Sequence, residues 1–297
     1  MNAPPKPPPT RSKPTLPKPN AASPLGSHVP KTFGVKAWTD AGEGSKVVVY
    51  SRSGMGKTTL GAMAPNAIFI GIDDGGRKIR HPKTGEPIGA VADVRTFQDL
   101  RDALHQGGLF PNGSTIVIDT VTKAEEMIQT HVMETMPING KHVSSFRKYG
   151  WDGERHLLDQ YRLLLSDLDP LVRAGLNVVL LAQLSQITVA NAEGIDYLED
   201  GPKLQHRKDC SVRTEVCEWA DHVFRIGYLE FDVQKENAKD RTGKVQTGDA
   251  TRAIFTGGAA HYFAKTRPVN GEKLPPVISF ANEQDDALWQ FVFPPVE

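Results

Sequence analysis

The segment best suited to chemistry is a short glycine-rich run that lies between a predicted strand and a predicted helix. It follows residues 46–50 (KVVVY), an apolar stretch typical of a strand buried on both faces. Its residues are Ser53, Gly54, Met55, Gly56, Lys57, Thr58 and Thr59. Successive backbone N–H groups in such a turn can point at one phosphate, and glycine leaves room for that approach. The spacing therefore predicts a phosphate-binding loop.

Two side chains of this loop indicate which ligand it binds. Lys57 is placed to reach the β- and γ-phosphates of a nucleotide, and the Thr58 hydroxyl to coordinate Mg²⁺. The pattern G-x-x-x-x-G-K-[ST] is complete except for its first glycine, where this chain has Ser51. Serine at that position would be costly if the backbone needs a positive φ. We predict ATP and Mg²⁺ as cofactors; a chance glycine-rich turn before a helix is the alternative.

A carboxylate that holds the magnesium through water is expected at the end of a neighbouring strand. Asp119 ends the apolar run TIVID at residues 115–119 and has that placement. The alternative is that Asp119 only caps the following helix. A complete strand and helix unit separates the phosphate loop from TIVID, so we expect another strand between the two motif strands. In that class an acidic base activates the attacking water, and Asp73-Asp74 after AIFIGI is well placed, although an acidic turn is the alternative.

The order of predicted elements indicates the fold class. Apolar strands alternate with helices up to residue 183, which favours parallel strands joined by right-handed crossovers in one doubly wound α/β sheet. Residues 184–211 are polar without a clear period, and we interpret them as a long functional or mobile loop. Three later runs, EVCEWADHVFRIGYLEFDV, TRAIFTGG and HYFAKTR, suggest a short helix and several antiparallel strands. The predicted strands are 46–50, 67–72, 91–95, 115–119 and 177–183, and the predicted helices are 96–108, 122–136, 153–175 with a kink or break at Pro170, and 283–291.

Several of these pieces together resemble the RecA-like P-loop ATPases. They are GMGKTT, IDDGG, TIVIDTVT, NVVLLAQ and HYFAKTR, and the likeness extends from about Lys46 to Arg267. The most similar group is the phage-encoded RecA-like ATPases of single-strand annealing recombination. This resemblance implies a RecA-like sheet and identifies Asp74 as the base, with Asp73 as the alternative. Members of that group more often have Glu there.

The resemblance also assigns roles to three downstream residues. Gln183 ends NVVLLAQ and matches the polar residue that senses the γ-phosphate; a structural strand end is the alternative. Lys265 and Arg267 in FAKTR resemble a pair of cations that related ATPases project into a neighbour's active site. In a strand, alternate residues share a face, so both could reach one γ-phosphate. Ordinary solvated charges are the alternative. The predicted assembly is a ring or filament.

In the RecA architecture two DNA-binding loops follow these motifs, and they correspond here to residues 137–151 and 184–213. Both carry cations, and the first interleaves them with aromatic residues, a mixture that suits single strands. The first contains Lys141, Arg147 and Lys148 with Phe146, Tyr149 and Trp151; the second contains Lys203, His206, Arg207, Lys208 and Arg213. The alternative is a pair of solvated loops.

Charge and composition limit the partners. The chain of 297 residues has 35 basic and 35 acidic side chains, but residues 1–31 hold five cations and no Asp or Glu. This proline-rich segment is expected to stay an extended tail, either a solubilising leader or an arm that docks DNA or a single-strand-binding protein. Residues 32–297 are predicted to form the ATPase domain. No apolar run suggests membrane insertion or secretion, so we expect a cytoplasmic protein, in a phage-infected host if the resemblance holds, with Cys210 and Cys217 as free thiols.

A zinc site is a competing hypothesis. His206, Cys210, Cys217 and His222 form H-x3-C-x6-C-x4-H. The cysteine spacing is wider than that of the usual zinc knuckle, and Cys217 and His222 fall in a predicted packed helix and strand. We therefore do not favour metal binding here.

The sequence thus predicts an ATP-dependent, single-stranded-DNA-binding recombination protein whose hydrolysis responds to DNA. Two alternatives use the same nucleotide site. One is a replication or packaging motor, or a helicase loader. The other is a nucleotide-gated DNA-binding module with little turnover, which Ser51 and Asp74 allow.

Overall fold

A computed structural model describes residues 34–35, 42–72, 78–191, 194–229, 231–233, 243–245 and 251–293. The chain divides into two compact units, Met1–Asp40 and Ala41–Glu297. All secondary structure described below belongs to the second unit. The predicted tail at residues 1–31 and the acidic pair Asp73-Asp74 lie outside the described residues.

A mixed sheet of nine strands forms the centre of the described part of the second unit. Its strand order is β13-β12-β9-β1-β5-β4-β2-β3, and β6 extends from β5. The strands from β9 to β3 are parallel, whereas β12, β13 and β6 pair antiparallel. The sheet strands are β1 (Lys46–Ser51), β2 (Ala67–Gly71), β3 (Gly89–Val91), β4 (Thr115–Asp119), β5 (Asn177–Val189), β6 (Tyr197–Pro202), β9 (His222–Tyr228), β12 (Arg252–Phe255) and β13 (Val277–Ser279); the short pairs are β7 (His206–Arg207) with β8 (Cys210–Ser211) and β10 (Phe231–Val233) with β11 (Gly243–Val245).

Helices cover both faces of the sheet, so that it separates two apolar cores. Leu100, Ile128 and Tyr161 are buried in the larger core, and Leu60, Phe280 and Trp289 in the smaller one. A capping box between Thr96 and Asp99 begins the helix at Phe97–His105. The helices are α1 (Lys57–Ala62), α2 (Phe97–His105), α3 (Val121–Thr135), α4 (Trp151–Arg173), α5 (Val212–Trp219) and α6 (Ala287–Val292).

This architecture confirms the predicted α/β fold, with a mostly parallel sheet and antiparallel strands at its C-terminal edge. Strand β5 lies between β1 and β4, as expected for the two motif strands. Within the described residues no helix has both the length and the apolar content needed to cross a bilayer.

Some local predictions were wrong. The third strand lies at Gly89–Val91 rather than 91–95, and α6 begins at Ala287 rather than 283. Helix α4 continues through Pro170 to Arg173, so the break expected at that proline is absent. Strand β9 was expected to be antiparallel but runs parallel to β1.

The long loop predicted after Gln183 is instead a β-hairpin. Strand β5 continues to Val189 and pairs with β6 in a register from Leu184 opposite Pro202 to Val189 opposite Tyr197. Much of this ribbon faces solvent, so its strands lack the apolar alternation by which half-buried strands are recognised. Residues 184–202 contain no Lys or Arg, so the cations predicted for this region all follow the hairpin.

Candidate functional site

The glycine-rich loop connects the end of β1 to the start of α1, as predicted. Gly54 and Gly56 have φ values of 78° and 91°, which favour glycine. A Cβ on Gly56 would also lie 2.8 Å from a guanidinium nitrogen of Arg252. Ser51 is fully buried as the last residue of β1 and is not among the residues with positive φ. The serine in place of the first glycine therefore carries no backbone penalty.

Lys57 points back into the loop. Its Nζ donates to the carbonyl oxygens of Ser51 and Arg52, both at 3.1 Å, and lies 3.3 Å from the Ser51 hydroxyl. Burial lowers the pKa of Lys57, and the nearby Asp119 carboxylate opposes that shift. Among the described residues, Lys57 is hydrogen-bonded only to neutral oxygens, so it can turn to a phosphate without breaking an ion pair there.

Thr58 and Asp119 meet across the carboxyl edge of the sheet. The Thr58 hydroxyl donates to Asp119 Oδ2 at 2.7 Å. Asp119 ends β4 and is 6% exposed, and the following Thr120 caps α3 by accepting from the Lys123 N–H at 3.3 Å. A hydroxyl and a carboxylate at this separation are hard oxygen donors suited to Mg²⁺. The residues present therefore fit a magnesium ion bound with a nucleotide, which would polarise the phosphoryl oxygens.

Gln183 lies beside the loop, but within β5 rather than at its end. It is the register partner of Ser51 on β1. The Gln183 N–H donates to the Thr122 hydroxyl at 3.0 Å, and that hydroxyl donates to the Lys203 carbonyl at 3.1 Å. The start of α3 is thus bonded to β5 and to the turn after the hairpin.

The two candidates for the base, Asp73 and Asp74, lie outside the described residues. Ile72, the last described residue before Asp73, donates its N–H to the Asp119 carbonyl at 3.0 Å. The chain therefore reaches the undescribed segment beside Asp119. Whether Asp73 or Asp74 acts as base stays a prediction.

Lys265 and Arg267 lie near each other but far from their own phosphate loop. Lys265 Nζ donates to the carbonyls of Cys217 and Glu218 at 2.7 and 3.2 Å, and Arg267 pairs with Asp221 at 3.2 Å. Asp221 accepts from the N–H of Lys46, the first residue of β1, so this cluster marks the edge opposite the loop. The prediction of a strand at HYFAKTR is wrong. Of the two cations, only Lys265 pairs with β9, through an isolated bridge to Val223.

The predicted DNA-binding residues have different environments. Lys141, Arg147, Lys148, Lys203, Arg207 and Lys208 are exposed. Arg207 pairs with Glu154 at 2.8 Å, and Lys148 donates to the Ser144 hydroxyl at 3.0 Å. Trp151 is 48% exposed.

Two residues of the proposed DNA loops are unavailable to a ligand. Tyr149 is buried in the larger core and donates to the Met136 carbonyl at 2.7 Å, so it is no stacking platform. Arg213 is buried against Glu199 at 2.7 Å. In both cases the packing of α3, α4 and α5 overrides the local polarity of the sequence.

The zinc hypothesis finds no support in the described part of the chain, where no group of ligands is placed to hold a metal. Cys210 and Cys217 are free and buried. Burial raises the pKa of the Cys217 thiol to about 12, and His222 is occupied by the Thr266 hydroxyl at 2.7 Å.

A buried polar cluster beneath the loop was not predicted. Asp200 on β6 is 5% exposed and accepts from Arg225 at 2.9 and 3.2 Å through Oδ2 and from Gln186 at 2.9 Å through Oδ1. The Tyr50 hydroxyl donates to the carbonyls of Asp200 and Phe263 at 3.2 and 2.6 Å. Tyr50 immediately precedes Ser51, so this cluster anchors the hairpin to the strand that carries the phosphate loop.

Comparison with known protein families matches residues 43–268 to the AAA domain. The match includes the loop, Asp119 and Gln183. The chain belongs to the AAA-domain family. It is accordingly a P-loop ATPase domain.

Solved structures similar to this AAA domain have 12–14% sequence identity to it. A KaiC-like protein from the archaeon Pyrococcus horikoshii has 12% identity, a TM-score of 0.37, and coverage of 72% of this chain and 78% of its own. A type III secretion system ATPase from pathogenic bacteria has 14% identity, a TM-score of 0.35 and coverage of 62% of this chain. A DnaB-like replicative helicase has 13% identity, a TM-score of 0.33 and coverage of 71% of this chain. The chain spans about half, 51%, of each of these two proteins. A search of curated proteins found no match.

Glu125 of this AAA domain gives a pH-dependent prediction. Burial raises its pKa to about 7, although its Oε2 accepts from the Gln205 N–H at 2.7 Å. The folded protein binds the proton more tightly than the unfolded chain, so stability falls as pH rises from about 4.5 to about 7. As the pH rises from 4.5 to 8, we expect the free energy of unfolding of Glu125→Gln to increase by about 1 to 3 kcal/mol relative to that of the wild type. Urea unfolding at these two pH values measures the difference. Glu134→Gln, at an exposed site on the same helix, is the control, and equal pH trends in wild type and Glu125→Gln would refute the prediction.

Proposed function

We propose that this protein is an ATP-dependent, single-stranded-DNA-binding recombination protein that anneals or pairs strands. In this proposal it binds ATP with Mg²⁺ and hydrolyses it in an oligomer. The observation that carries the nucleotide part is the 2.7 Å bond between Thr58 and Asp119, with Lys57 held in the same loop. Ser53, Gly54, Met55, Gly56 and Thr59 complete the proposed binding loop.

The proposed reaction uses residues of the carboxyl edge. Lys57 stabilises the charge that develops on the γ-phosphoryl group, and Thr58 and Asp119 hold Mg²⁺. Asp74, or Asp73, takes the proton of the attacking water. Gln183 senses the γ-phosphate, and the Thr122 hydroxyl passes a change there to the turn that carries Lys203.

The DNA part of the proposal is supported by the segment between α3 and α4. Lys141, Arg147 and Lys148 are exposed there, and Trp151 offers a half-exposed ring at the start of α4. Cations that track the phosphates beside an aromatic ring suit single strands. Lys203, Arg207 and Lys208 are proposed as a second contact, which Arg207 can make only by leaving Glu154.

A triple variant in which Gln replaces Lys141, Arg147 and Lys148 is expected to bind single-stranded DNA more weakly. Each lost phosphate contact lowers the slope of log K against log salt by about 0.7, so the slope should flatten by about two units. Fluorescence anisotropy at several salt concentrations measures it. Arg173→Gln, at an exposed arginine at the end of α4, is the control. An unchanged slope in the triple variant would mean that these three cations do not contact DNA and only face solvent.

We also propose that the active site is shared between subunits, with Lys265 and Arg267 acting on a neighbour's nucleotide. Both lie at the edge opposite their own loop, and the Arg267 side chain is 63% exposed. To act in trans, they must release Asp221 and the carbonyls at the end of α5.

Mixing two inactive variants tests this sharing. Lys57→Ala keeps the two cations, and Lys265→Ala/Arg267→Ala keeps the phosphate loop. A cation supplied in trans is worth about 10³ to 10⁵ in rate in comparable phosphoryl transfers, so a mixture should recover ATPase activity that neither variant has. If co-assembly is shown by cross-linking and the mixture stays inactive, the two residues do not act in trans.

The function as a whole is tested by measuring DNA binding in different nucleotide states. We expect labelled single-stranded DNA to bind more tightly with Mg²⁺-ATP than with Mg²⁺-ADP or no nucleotide, and complementary strands to anneal faster with protein present. Deleting residues 1–31 should leave ATP hydrolysis unchanged, since we propose 32–297 as the ATPase domain. DNA binding that is absent in all nucleotide states would favour another kind of P-loop motor.

A further inference from the structure

A second cation lies against the phosphate loop, and it comes from the C-terminal strands. Arg252 is the first residue of β12, and its Nη1 lies 3.4 Å from the Met55 carbonyl oxygen. The same nitrogen is 2.8 Å from the position that a Cβ on Gly56 would take. The guanidinium therefore packs directly against the middle of the loop.

The aromatic ring of Phe280 holds this guanidinium in place. The Arg252 Cζ lies 4.7 Å from the ring centroid, and Phe280 is fully buried. Phe280 directly follows β13, the strand that pairs with β12, and its N–H donates to the Arg252 carbonyl at 3.1 Å. Stacking on an aromatic face fixes the plane of an arginine and leaves its N–H groups available.

Arg252 differs from the other partly buried arginines in its charge environment. Arg225 pairs with Asp200, and Arg213 with Glu199. Among the described residues no carboxylate lies within ion-pair distance of Arg252, whose recorded partners are one carbonyl oxygen and one ring. A half-buried cation beside a phosphate loop, with no counter-charge among the residues that the structure describes, suits a phosphate oxygen.

The segment that carries Phe280 lies beyond the residues matched to the AAA domain, which end at 268. Trp289 of α6, in the same segment, donates its indole N–H to the Leu60 carbonyl of α1 at 2.8 Å. The smaller core joins Met55, Leu60, Phe280 and Trp289. The C-terminal segment thus supports both the loop and the first helix.

We infer that Arg252 is a further nucleotide-contact residue: it donates to the phosphate chain of a bound nucleoside di- or triphosphate and holds the Met55 carbonyl at the same time. This inference rests on the proposed ATP binding and adds a residue that the sequence motifs do not contain. Because the contact exists before and after hydrolysis, it contributes to the binding of ATP and ADP alike.

The test compares Arg252→Gln, which keeps a donor for Met55 without charge, with Arg252→Lys, which keeps charge. Titration calorimetry with Mg²⁺-ATP and Mg²⁺-ADP gives Kd, and steady-state assays give kcat and KM. Hydrogen bonds to charged groups contribute about 1.5 to 3 kcal/mol, which corresponds to about 10- to 150-fold in Kd. We expect Arg252→Gln to weaken both nucleotides by that factor with kcat changed less than about threefold, Arg252→Lys to recover part of the affinity, and Arg173→Gln to bind as wild type does.

The salt dependence separates a contact from a purely structural role. Loss of a charge contact should also make log Kd for ATP less sensitive to salt in Arg252→Gln than in wild type. Wild-type affinity in a folded Arg252→Gln protein, or weaker affinity with an unchanged salt dependence, would overturn the inference while leaving ATP binding intact. Failure of the wild-type protein to bind Mg²⁺-ATP would overturn the proposed function as well.

Discussion

Replacing Lys57 with alanine is expected to abolish ATP hydrolysis. Lys57 is the lysine that the glycine-rich pattern itself specifies, and in the described structure it is bonded only to neutral oxygens of Ser51 and Arg52. By comparison with other cations that act on a transferring phosphoryl group, the rate should fall by at least about 10³. A steady-state phosphate-release assay measures the loss, and calorimetry reports the accompanying weakening of ATP binding.

Lys273→Ala, at an exposed lysine, is the matched control and should hydrolyse ATP at the wild-type rate. Thermal unfolding of both variants excludes loss of the fold. Normal turnover by a folded Lys57→Ala protein would show that the glycine-rich loop is not the nucleotide site.

Replacing Asp200 with asparagine should produce the largest loss of stability. The substitution leaves the Arg225 guanidinium, with a side chain only 17% exposed, without its carboxylate. Breaking one partner of a buried ion pair costs about 3 kcal/mol or more, and the free energy of unfolding should fall by that amount. Urea unfolding followed by tryptophan fluorescence measures it.

The exposed pair of Asp93 and Arg95 offers a matched control, because its side chains are 79% and 80% exposed. Asp93→Asn should change the free energy of unfolding by less than about 1 kcal/mol. Similar effects of the two substitutions would mean that the Asp200 cluster does not anchor the hairpin.

The phosphate loop and the parallel sheet could be predicted because their signals are local. A buried parallel strand is a continuous apolar run, and KVVVY, TIVID and NVVLLAQ each have that form. The loop between β1 and α1 is a contiguous motif, so Lys57 and Thr58 were found without knowledge of the fold. Asp119 followed from its position at the end of a strand, since carboxyl ends of parallel strands meet at one edge.

Residues brought in from distant segments could not be predicted in this way. Arg252 contacts Met55 across 197 positions, and nothing in its own surroundings in the sequence marks it. The hairpin formed by β5 and β6 was interpreted as a loop because much of it faces solvent, so its sequence lacks the apolar alternation of a half-buried strand. Tyr149 lies among exposed cations in sequence, yet the packing of α3 against α4 places its ring in the core.

The proposed function is tested most directly by one ATPase assay of the wild-type protein, titrated with single-stranded and then double-stranded DNA. We expect Mg²⁺-dependent hydrolysis that rises with single-stranded DNA and responds less to the duplex. Hydrolysis that is independent of DNA would contradict the proposed recombination function. Nucleotide binding with no turnover at any DNA concentration would contradict ATP hydrolysis itself and identify a nucleotide-gated binding module.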